Sequence, residues 1–462
     1  MKIQLLANDI NENSVTEMVT PMGLFYLAAF AEKYYPEKLE FTLQTRIDFV
    51  PDPQADLLAV SSMTRGYPKA LELARQTKEA CPHLPIIIGG CHISALPHTL
   101  PEVFDLAVLG EGEETFLELL QIFAAKGSFK PEDLAGVKGI AYHQDGKVVI
   151  NPARPLIDPL DKIPIPKRDL WDISERVKWI SSSRGCPFNC IFCALAQTRH
   201  RRFSAPRVME EIMAVKQQYN PDLIVFQDDL FMLNKTRIEE IIKMMKQEGL
   251  KKDTCFGVTL RADLVDEETV HLLQEMNAKM VYMGIESGSE KILNYLKSGN
   301  LKLAQVEKAL DLLTQGGIKV EGSFILGAPD ETREDLLETY NFIFNHYKAG
   351  KLTFASINFL TPFPGGKLWK YAEDLGKVSE DMDFSRLELT LNQFDPYRSV
   401  YLNKQIPLAE FCDYVGFFEE LHFGINQKTY QSLKESSREK YTKLRLDRDL
   451  LARFQKEQGY SG

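Results

Sequence analysis

The sequence predicts an α/β protein of more than one domain. Short apolar runs alternate with amphipathic stretches of helical period in two separate series. A proline-rich stretch divides the two series, and the last part of the chain keeps only helical patterning. At 462 residues the chain is also too long for one ordinary core.

In residues 1–136 the apolar runs Ile3–Ala7, Phe41–Gln44, Leu57–Ser61, Ile86–Gly89 and Leu106–Leu109 read as strands. Met22–Lys33, Tyr67–Glu79 and Glu113–Ala125 read as the helices between them. That alternation implies a doubly wound, Rossmann-like parallel sheet with helices on both faces. Ligands of such sheets bind at the carboxyl ends of the strands. The segments expected there are Ser61-Ser62-Met63-Thr64, Gly89-Gly90-Cys91-His92 and Gly110-Glu111-Gly112-Glu113. Their glycines allow the backbone to approach a bulky ligand closely. Cys81, His83, Cys91, His92 and His98 match no zinc spacing, and an apolar strand separates them, so no metal is expected among them. His92 reads as a polar contact to a ligand or a hydrogen-bonded loop residue.

Gly139 to Asn151 has the pattern of a hairpin turning at Asp145-Gly146. Pro152, Pro155, Pro159, Pro164 and Pro166 then mark an extended linker, so residues 137–175 read as hairpin and linker. The second series occupies residues 176–375. Its strands are Trp179–Ser182, Leu223–Phe226, Thr254–Leu260, Met280–Ile285, Val320–Leu326 and Phe354–Phe359. Its helices are Val208–Gln218, Thr236–Gln247, Glu267–Met276, Leu303–Thr314 and Glu331–Asn345. Residues 376–462 read as mainly helical, in Leu408–Glu420 and Leu444–Phe454, with Phe411, Tyr414, Phe417 and Phe418 taken as core.

The first strand of this series runs into Arg184-Gly-Cys-Pro-Phe-Asn-Cys-Ile-Phe-Cys193. Cys186, Cys190 and Cys193 stand at C-x3-C-x2-C in a loop punctuated by glycine and proline. Thiolates are soft ligands suited to zinc or to an iron–sulfur cluster. Structural zinc takes four protein ligands, and no second cysteine pair completes such a set here. The other strand ends are polar or glycine-rich. They carry Gln227-Asp228-Asp229, Arg261, Gly284-Ile285-Glu286-Ser287-Gly288, Gly327-Ala328-Pro329 and Thr361-Pro362-Phe363-Pro364-Gly365. Locally, Arg261 can pair with Asp263 or Asp266, and Gly284 and Gly288 can be turn glycines.

The cysteine loop, with Phe192 before its last cysteine, resembles the signature loop of the radical S-adenosylmethionine enzymes. Thr20-Pro21-Met22-Gly23-Leu24, the Gly-Gly-x-His step and Gly-Glu-Gly-Glu-x-Thr-Phe at 110–116 resemble the cobalamin-binding domain fused to many of them. The resemblance spans about residues 1–375 and implies a cobalamin-binding domain followed by a partial (β/α)6 TIM-like barrel. It implies a 4Fe–4S cluster on Cys186, Cys190 and Cys193, with S-adenosylmethionine chelating the iron that no cysteine holds. Phe192, Arg261, Gly284, Glu286, Ser287, Gly288, Gly327 and Pro329 would then contact S-adenosylmethionine. Thr20, Pro21, Leu24, Ser62, Met63, Thr64, Gly89, Gly90, His92, Gly110, Glu111, Gly112 and Glu113 would contact cobalamin. The D-x-H-x-x-G motif, whose histidine ligates cobalt in some relatives, is absent, since no histidine here has Asp two residues before it.

The activity so implied is methylation of an unactivated carbon, or of phosphorus, in a small molecule or natural product through a 5′-deoxyadenosyl radical. A low-potential donor of flavodoxin or ferredoxin type would supply the electron. The catalytic residues are not identified by the resemblance; Asp228 and Asp229 are the candidates. Radical cyclisation, rearrangement or oxidation without methyl transfer uses the same cofactors. A non-enzymatic cobalamin or metal carrier is the rival of another class, but it leaves the polar strand ends unexplained. A methylthiotransferase of transfer RNA would bring three further cluster cysteines, and the first domain has only Cys81 and Cys91.

Composition narrows the field. A content of 44% hydrophobic and 26% charged residues is that of a soluble globular protein. The net charge of −10 argues against a general nucleic-acid binder, and the basic patch at Arg199, His200, Arg201 and Arg202 reads as a solvated helix entry or as a patch that meets an anionic substrate. Met1–Ile10 is too polar for a signal peptide, and no apolar run reaches the roughly 20 residues of a membrane helix. Seven cysteines, an odd number, imply a reducing cytoplasm with no disulfide framework.

Overall fold

The computed structural model describes residues 1–9, 20–171, 177–250, 254–391, 395 and 398–425. Packing divides the chain into two compact units. One holds residues 1–185, 193–222 and 362–387; the other holds 186–192, 223–361 and 388–462.

The first sheet is built from β1 (Lys2–Ala7), β2 (Glu40–Thr45), β3 (Leu57–Ser61), β4 (Ile86–Gly89), β5 (Leu106–Val108), β6 (Ile140–Gln144) and β7 (Lys147–Ile150). Helices α1 (Met22–Tyr34), α2 (Tyr67–Ala80), α3 (Cys91–Ala95), α4 (Glu113–Lys126) and α5 (Pro131–Leu134) join them. The strand order is β2-β1-β3-β4-β5-β6-β7. β1 lies parallel between β2 and β3, so the winding reverses there, and the crevice above their carboxyl ends is the expected ligand position. The core joins Ile3, Leu5, Leu57, Ile87 and Leu106 to α1 through Leu24, Ala28 and Ala31, and to α4 through Phe116, Leu119 and Leu120.

The hairpin grouped with the linker in the sequence completes this sheet, because β6 pairs antiparallel with β5. The reason is burial: Ile140, Ala141 and Tyr142 are all core residues. Asp145 and Gly146 both take positive φ (50° and 72°), as a two-residue hairpin turn requires. The linker after it is fixed by charge. Arg168 and Arg207 both bind the buried carboxylate of Glu211, and Arg207 also donates to the carbonyl of Ile163 at 3.2 Å. Arg207 and Glu211 lie on α6 (Ala205–Tyr219), whose N-cap Ser204 accepts from the Arg207 amide.

The second sheet contains β8 (Val177–Ile180), β11 (Leu223–Phe226), β12 (Cys255–Leu260), β13 (Ala278–Glu286), β14 (Lys319–Leu326) and β15 (Phe354–Phe359). Its order is β15-β14-β13-β12-β11-β8, and the pairs from β11 to β15 are parallel. Helices α7 (Lys235–Gln247), α8 (Glu267–Glu275), α9 (Glu290–Leu296), α10 (Leu303–Gln315) and α11 (Arg333–Lys348) connect the strands. This sequential parallel order is that of a curled half-barrel. Two short strands, β9 (Ser183–Arg184) and β10 (Arg201–Arg202), pair antiparallel across the two stems of the cysteine loop.

After β15 come α12 (Lys367–Asp374) and α13 (Leu408–Ile425). Phe411, Phe417 and Phe418 are buried. The helix expected at Leu444–Phe454 lies outside the described residues. Among the described residues no helix is long and apolar enough to cross a membrane.

Removing Glu211 strands two buried guanidinium groups. Glu211→Ala should lower unfolding free energy by roughly 3–5 kcal/mol, whereas Glu211→Gln, which keeps acceptor oxygen, should cost less. Denaturant unfolding of the metal-free protein measures both.

Candidate functional site

Hydrogen bonds gather the strand ends of the first sheet into one crevice. Asn8, beyond β1, donates to the hydroxyl of Ser62 at 3.1 Å and the carbonyl of Gly66 at 2.7 Å. The Ser62 amide reaches the carbonyl of Gly89 at 3.0 Å. Ser94 donates to the carbonyl of Gly90 and accepts from the amide of Gly110, which links the ends of β4 and β5. Gly90 sits at φ +112° against the Ser62 carbonyl, where a Cβ would collide. Gly110, at φ +74°, faces open space, and the Met63 side chain is exposed. Ser62 and Thr64 are buried, Leu24 is spent on the core, and Thr20 lines a small cavity with Phe25, Arg168, Trp171, Trp179 and Tyr219. Pro21 stands at the N-cap of α1 and Gly112 at that of α4.

His92 is not the hydrogen-bonded loop residue that the sequence offered as one reading. It is fully buried in α3, packed on Tyr67 at 3.9 Å and Phe384 at 4.4 Å between ring centroids. Neither ring nitrogen has a hydrogen-bond partner among the described residues, and Asn8 Oδ1 has none either. Burial pulls the His92 pKa down to about 4, so the ring is neutral. Asp9, which accepts from the Met63 amide at 2.7 Å, is pushed the other way by burial, to about 6.

Glu111 and Glu113 were expected to face a ligand, but their carboxylates hold arginines. Glu111 accepts from Arg201 (2.7 and 2.9 Å), from Arg184 (3.1 Å) and from the Ile157 amide (2.9 Å). Glu113 accepts from Arg184 at 2.6 Å. Burial opposes the charge on Glu111, but Arg201, Arg184 and the Ile157 amide outweigh it and keep the carboxyl below its usual range. Arg184 and Arg201 belong to β9 and β10, so this network fixes the stems of the cysteine loop.

The loop itself is held at α9. The Ile191 amide donates to the Leu296 carbonyl at 3.1 Å, Ser298 donates to the Asn189 carbonyl at 2.5 Å, and Lys297 Nζ lies 5.6 Å from the Phe192 ring. Arg261 covers Phe188 at 3.7 Å and places Nη1 3.5 Å from Cys190 Sγ. Its other nitrogens bind Asp263 at 3.0 and 3.1 Å, the local pairing that the sequence allowed. The seven cysteines form no disulfide. No three His, Cys, Asp or Glu side chains among the described residues are drawn together as a metal-ready group. Three cysteines in one loop, of which Cys190 stands beside the Arg261 guanidinium, are as a donor set better suited to an iron–sulfur cluster than to structural zinc, which takes four protein ligands. Buried Asp228 and exposed Asp229 follow β11, and Asp229 raises the Cys186 thiol pKa, a smaller effect than burial.

The fourth strand end serves the fold more than the sequence suggested. Glu286, at φ +69° on a bulge, gives its carboxylate to Lys297 at 2.6 Å, with both groups buried. A Cβ on Gly284 would collide with that carboxylate. Ser287 bonds the Thr339 hydroxyl at 2.9 Å, and a Cβ on Gly288 would lie 2.5 Å from Phe342 Cβ. Ser287 and Gly288 thus fasten α11, while Glu286 is committed to Lys297. The fifth strand end is different. Gly327, at φ +92°, opens a loop through Pro329 whose amides at Gly327 (2.6 Å) and Ala328 (3.3 Å) donate to Glu331 Oε2. Glu331 is fully buried, its Oε1 has no partner among the described residues, and burial lifts its pKa to about 8. Lys297, Ser298, Phe188, Asn8 and Ser94 were missed in the sequence. Each is a common residue in a short segment, and only long-range contact distinguishes it.

Comparison with known proteins follows the same division. Residues 180–343 match the family model of the radical SAM superfamily, and residues 10–120 match that of the B12 binding domain. An uncharacterized methyltransferase of Pyrococcus horikoshii is 33% identical over 453 residues, covering 90% of this chain and 96% of the relative. The anaerobic magnesium-protoporphyrin IX monomethyl ester cyclase of Rubrivivax gelatinosus is 29% identical over 352 residues, 72% of this chain and 60% of that protein. Among solved structures, the radical S-adenosylmethionine methyltransferase TsrM of Kitasatospora setae, with cobalamin and a [4Fe-4S] cluster bound, superposes with a TM-score of 0.67 at 18% identity. That match covers 85% of this chain and 83% of TsrM.

Two measurements follow from the geometry. Glu286→Gln leaves Lys297 buried without its counter-charge, and unfolding free energy should fall by on the order of 3 kcal/mol in denaturant titration. Glu331 supplies a pH test. Its folded pKa of about 8 exceeds the ordinary value of 4.5, so its contribution is fully present below 4.5 and is lost as pH rises through 8. Glu331→Gln does not titrate. The melting temperature of this variant relative to wild type should therefore climb between pH 5 and pH 8 and level off above.

Proposed function

This chain belongs to the radical S-adenosylmethionine superfamily and carries a B12-binding domain, and we propose that it methylates an unactivated carbon, or phosphorus, of a small molecule. The observation that carries this reading is the C-x3-C-x2-C loop in one chain with a doubly wound domain whose strand ends close into one hydrogen-bonded crevice. When bound, the cluster supplies the electron that cleaves S-adenosylmethionine to methionine and a 5′-deoxyadenosyl radical, while cobalamin carries the methyl group.

The protein's part is placement. Cys186, Cys190 and Cys193 would hold the cluster as thiolates, with Arg261 offsetting their charge. Phe192 and the backbone at Gly327–Pro329 would receive S-adenosylmethionine, while Arg261 and Glu286 act through Asp263 and Lys297. In the first domain, Gly110, Gly112, Met63 and the loop at Gly89–Gly90 would meet the flat face of cobalamin. His92, neutral in its aromatic box, would support that loop without ligating cobalt. Asp228 and Asp229 remain the candidates for handling a proton beside Cys186. On this division residues 1–136, completed by the β6–β7 hairpin, would bind cobalamin, the rest of 137–175 would connect, and 176–375 would cleave S-adenosylmethionine. A flavodoxin or ferredoxin would be the electron donor.

A second reading, radical cyclisation without methyl transfer, is favoured by the similarity to the Rubrivivax gelatinosus cyclase. Anaerobic turnover with methyl-labelled S-adenosylmethionine separates the two. Product bearing one labelled methyl supports methylation; 5′-deoxyadenosine without label in product supports cyclisation. No cleavage of S-adenosylmethionine at all overturns both. Replacing Cys186, Cys190 and Cys193 together by Ala should abolish iron loading and the brown absorbance while circular dichroism stays native. A full cluster in that variant, or zinc as its sole metal, would contradict the assignment.

A further inference from the structure

The segment that returns after β15 reaches the loop at the end of β14 through one side chain. Asn403 is 8% exposed and uses its whole amide. Its Nδ2 donates to the carbonyls of Ala328 and Glu331, each at 2.7 Å, and its Oδ1 accepts from the amides of Gln405 and Ile406, each at 2.8 Å. Two carbonyls on one side and two amides on the other leave a single orientation for the group. The Lys404 amide adds a bond to the Pro329 carbonyl at 2.8 Å. Around this contact, Phe411 is fully buried with its ring tip 3.5 Å from where a Cβ on Gly327 would stand, and it packs on Tyr401 at 4.9 Å. Arg333 and Glu410 form an ion pair between α11 and α13.

The loop needs such a brace. Gly327 takes a left-handed φ, and its amide and that of Ala328 turn inward to Glu331. On the outer side the carbonyls of Ala328, Pro329 and Glu331 point to Asn403 and Lys404. Glu331 therefore holds the loop by its donors and Asn403 by its acceptors. A loop fixed from both sides is ordered before a ligand arrives, and binding then carries no cost for ordering it.

We infer that Asn403 is a positioning residue for S-adenosylmethionine, and that the segment 401–411 exists in part to pre-order the Gly327–Glu331 loop. The inference rests on the reading of that loop as an S-adenosylmethionine contact. Asn403→Asp is the discriminating variant: it retains the acceptor toward Gln405 and Ile406 but sets a carboxylate against two carbonyls. Asn403→Ala removes both sets of bonds.

Hydrogen exchange on the metal-free protein should show faster exchange at Gly327, Ala328 and Lys404 in both variants, by tenfold or more. After anaerobic reconstitution, equilibrium dialysis should show S-adenosylmethionine binding weakened roughly tenfold, with iron content and cobalamin affinity as in wild type. Gly327→Ala, strained at its φ, tests the underlying reading while leaving the four Asn403 hydrogen bonds in place. If Gly327→Ala weakens binding and both Asn403 variants bind normally, the inference falls and the loop assignment stands. If none of the three changes binding, the loop does not contact S-adenosylmethionine, and both fall. Loss of iron or of the folded state in both Asn403 variants would make Asn403 a structural residue and overturn its positioning role.

Discussion

One carboxylate, Glu111, ties together the two stems from which the cysteine loop springs. It receives Arg201 in a two-pronged contact, Arg184 in a third and the Ile157 amide in a fourth. Such a group is costly to bury alone and is stable only because every lone pair is answered. The arrangement also accounts for two of the basic residues just after the loop. Arg201 is turned inward to this network, while exposed Arg199 pairs with Asp158 at 2.6 Å. The short β9–β10 ladder holds the stems in register, and the carboxylate holds the ladder to the turn before α4.

Within the second unit the loop meets a different support. The C-terminal end of α9 fixes its backbone at Asn189 and Ile191, and Arg261 lies over Phe188. The backbone at Asn189 and Ile191 and the ring of Phe188, all lying between cysteines in the chain, carry this packing.

The fold was largely legible in the sequence. Leu57–Ser61, Ile86–Gly89, Leu223–Phe226 and Phe354–Phe359 begin and end in the structure where the apolar runs do. Parallel strands covered on both faces read as near-continuous apolar runs, as at Leu57–Val60, Ile86–Ile88 and Leu223–Phe226, and such runs have sharp ends. The helix α9 was not legible. Seven residues, Glu290–Leu296, make two turns, too few for a periodic signal, yet the end of this helix anchors the cysteine loop. The need for glycine was legible where backbone conformation dictates the residue, as at Gly90 and Gly327. The partners of the site candidates were not legible where charge decides them. In sequence nothing distinguishes Glu111 or Glu113 facing a ligand from the same residues facing an arginine about 70 to 90 positions away. Gly288 and Ser287 carry a related ambiguity: close packing against Thr339 and Phe342 on α11 demands the same small residues that a ligand would.

The Glu286–Lys297 pair constrains how sequences of this kind can diverge. Gly284 has no room for a methyl group while the Glu286 carboxylate stands beside it, so these three positions form one heritable unit. A lineage drifting toward a neutral trio cannot change them in any order. Losing Lys297 first leaves a buried carboxyl that can take up a proton; losing Glu286 first leaves a buried ammonium that must shed one against a much higher intrinsic pKa. The first path crosses the shallower valley, and only after Glu286 has also gone does position 284 become free to accept alanine. Divergent relatives should therefore be found with lysine lost and glutamate retained more often than the reverse.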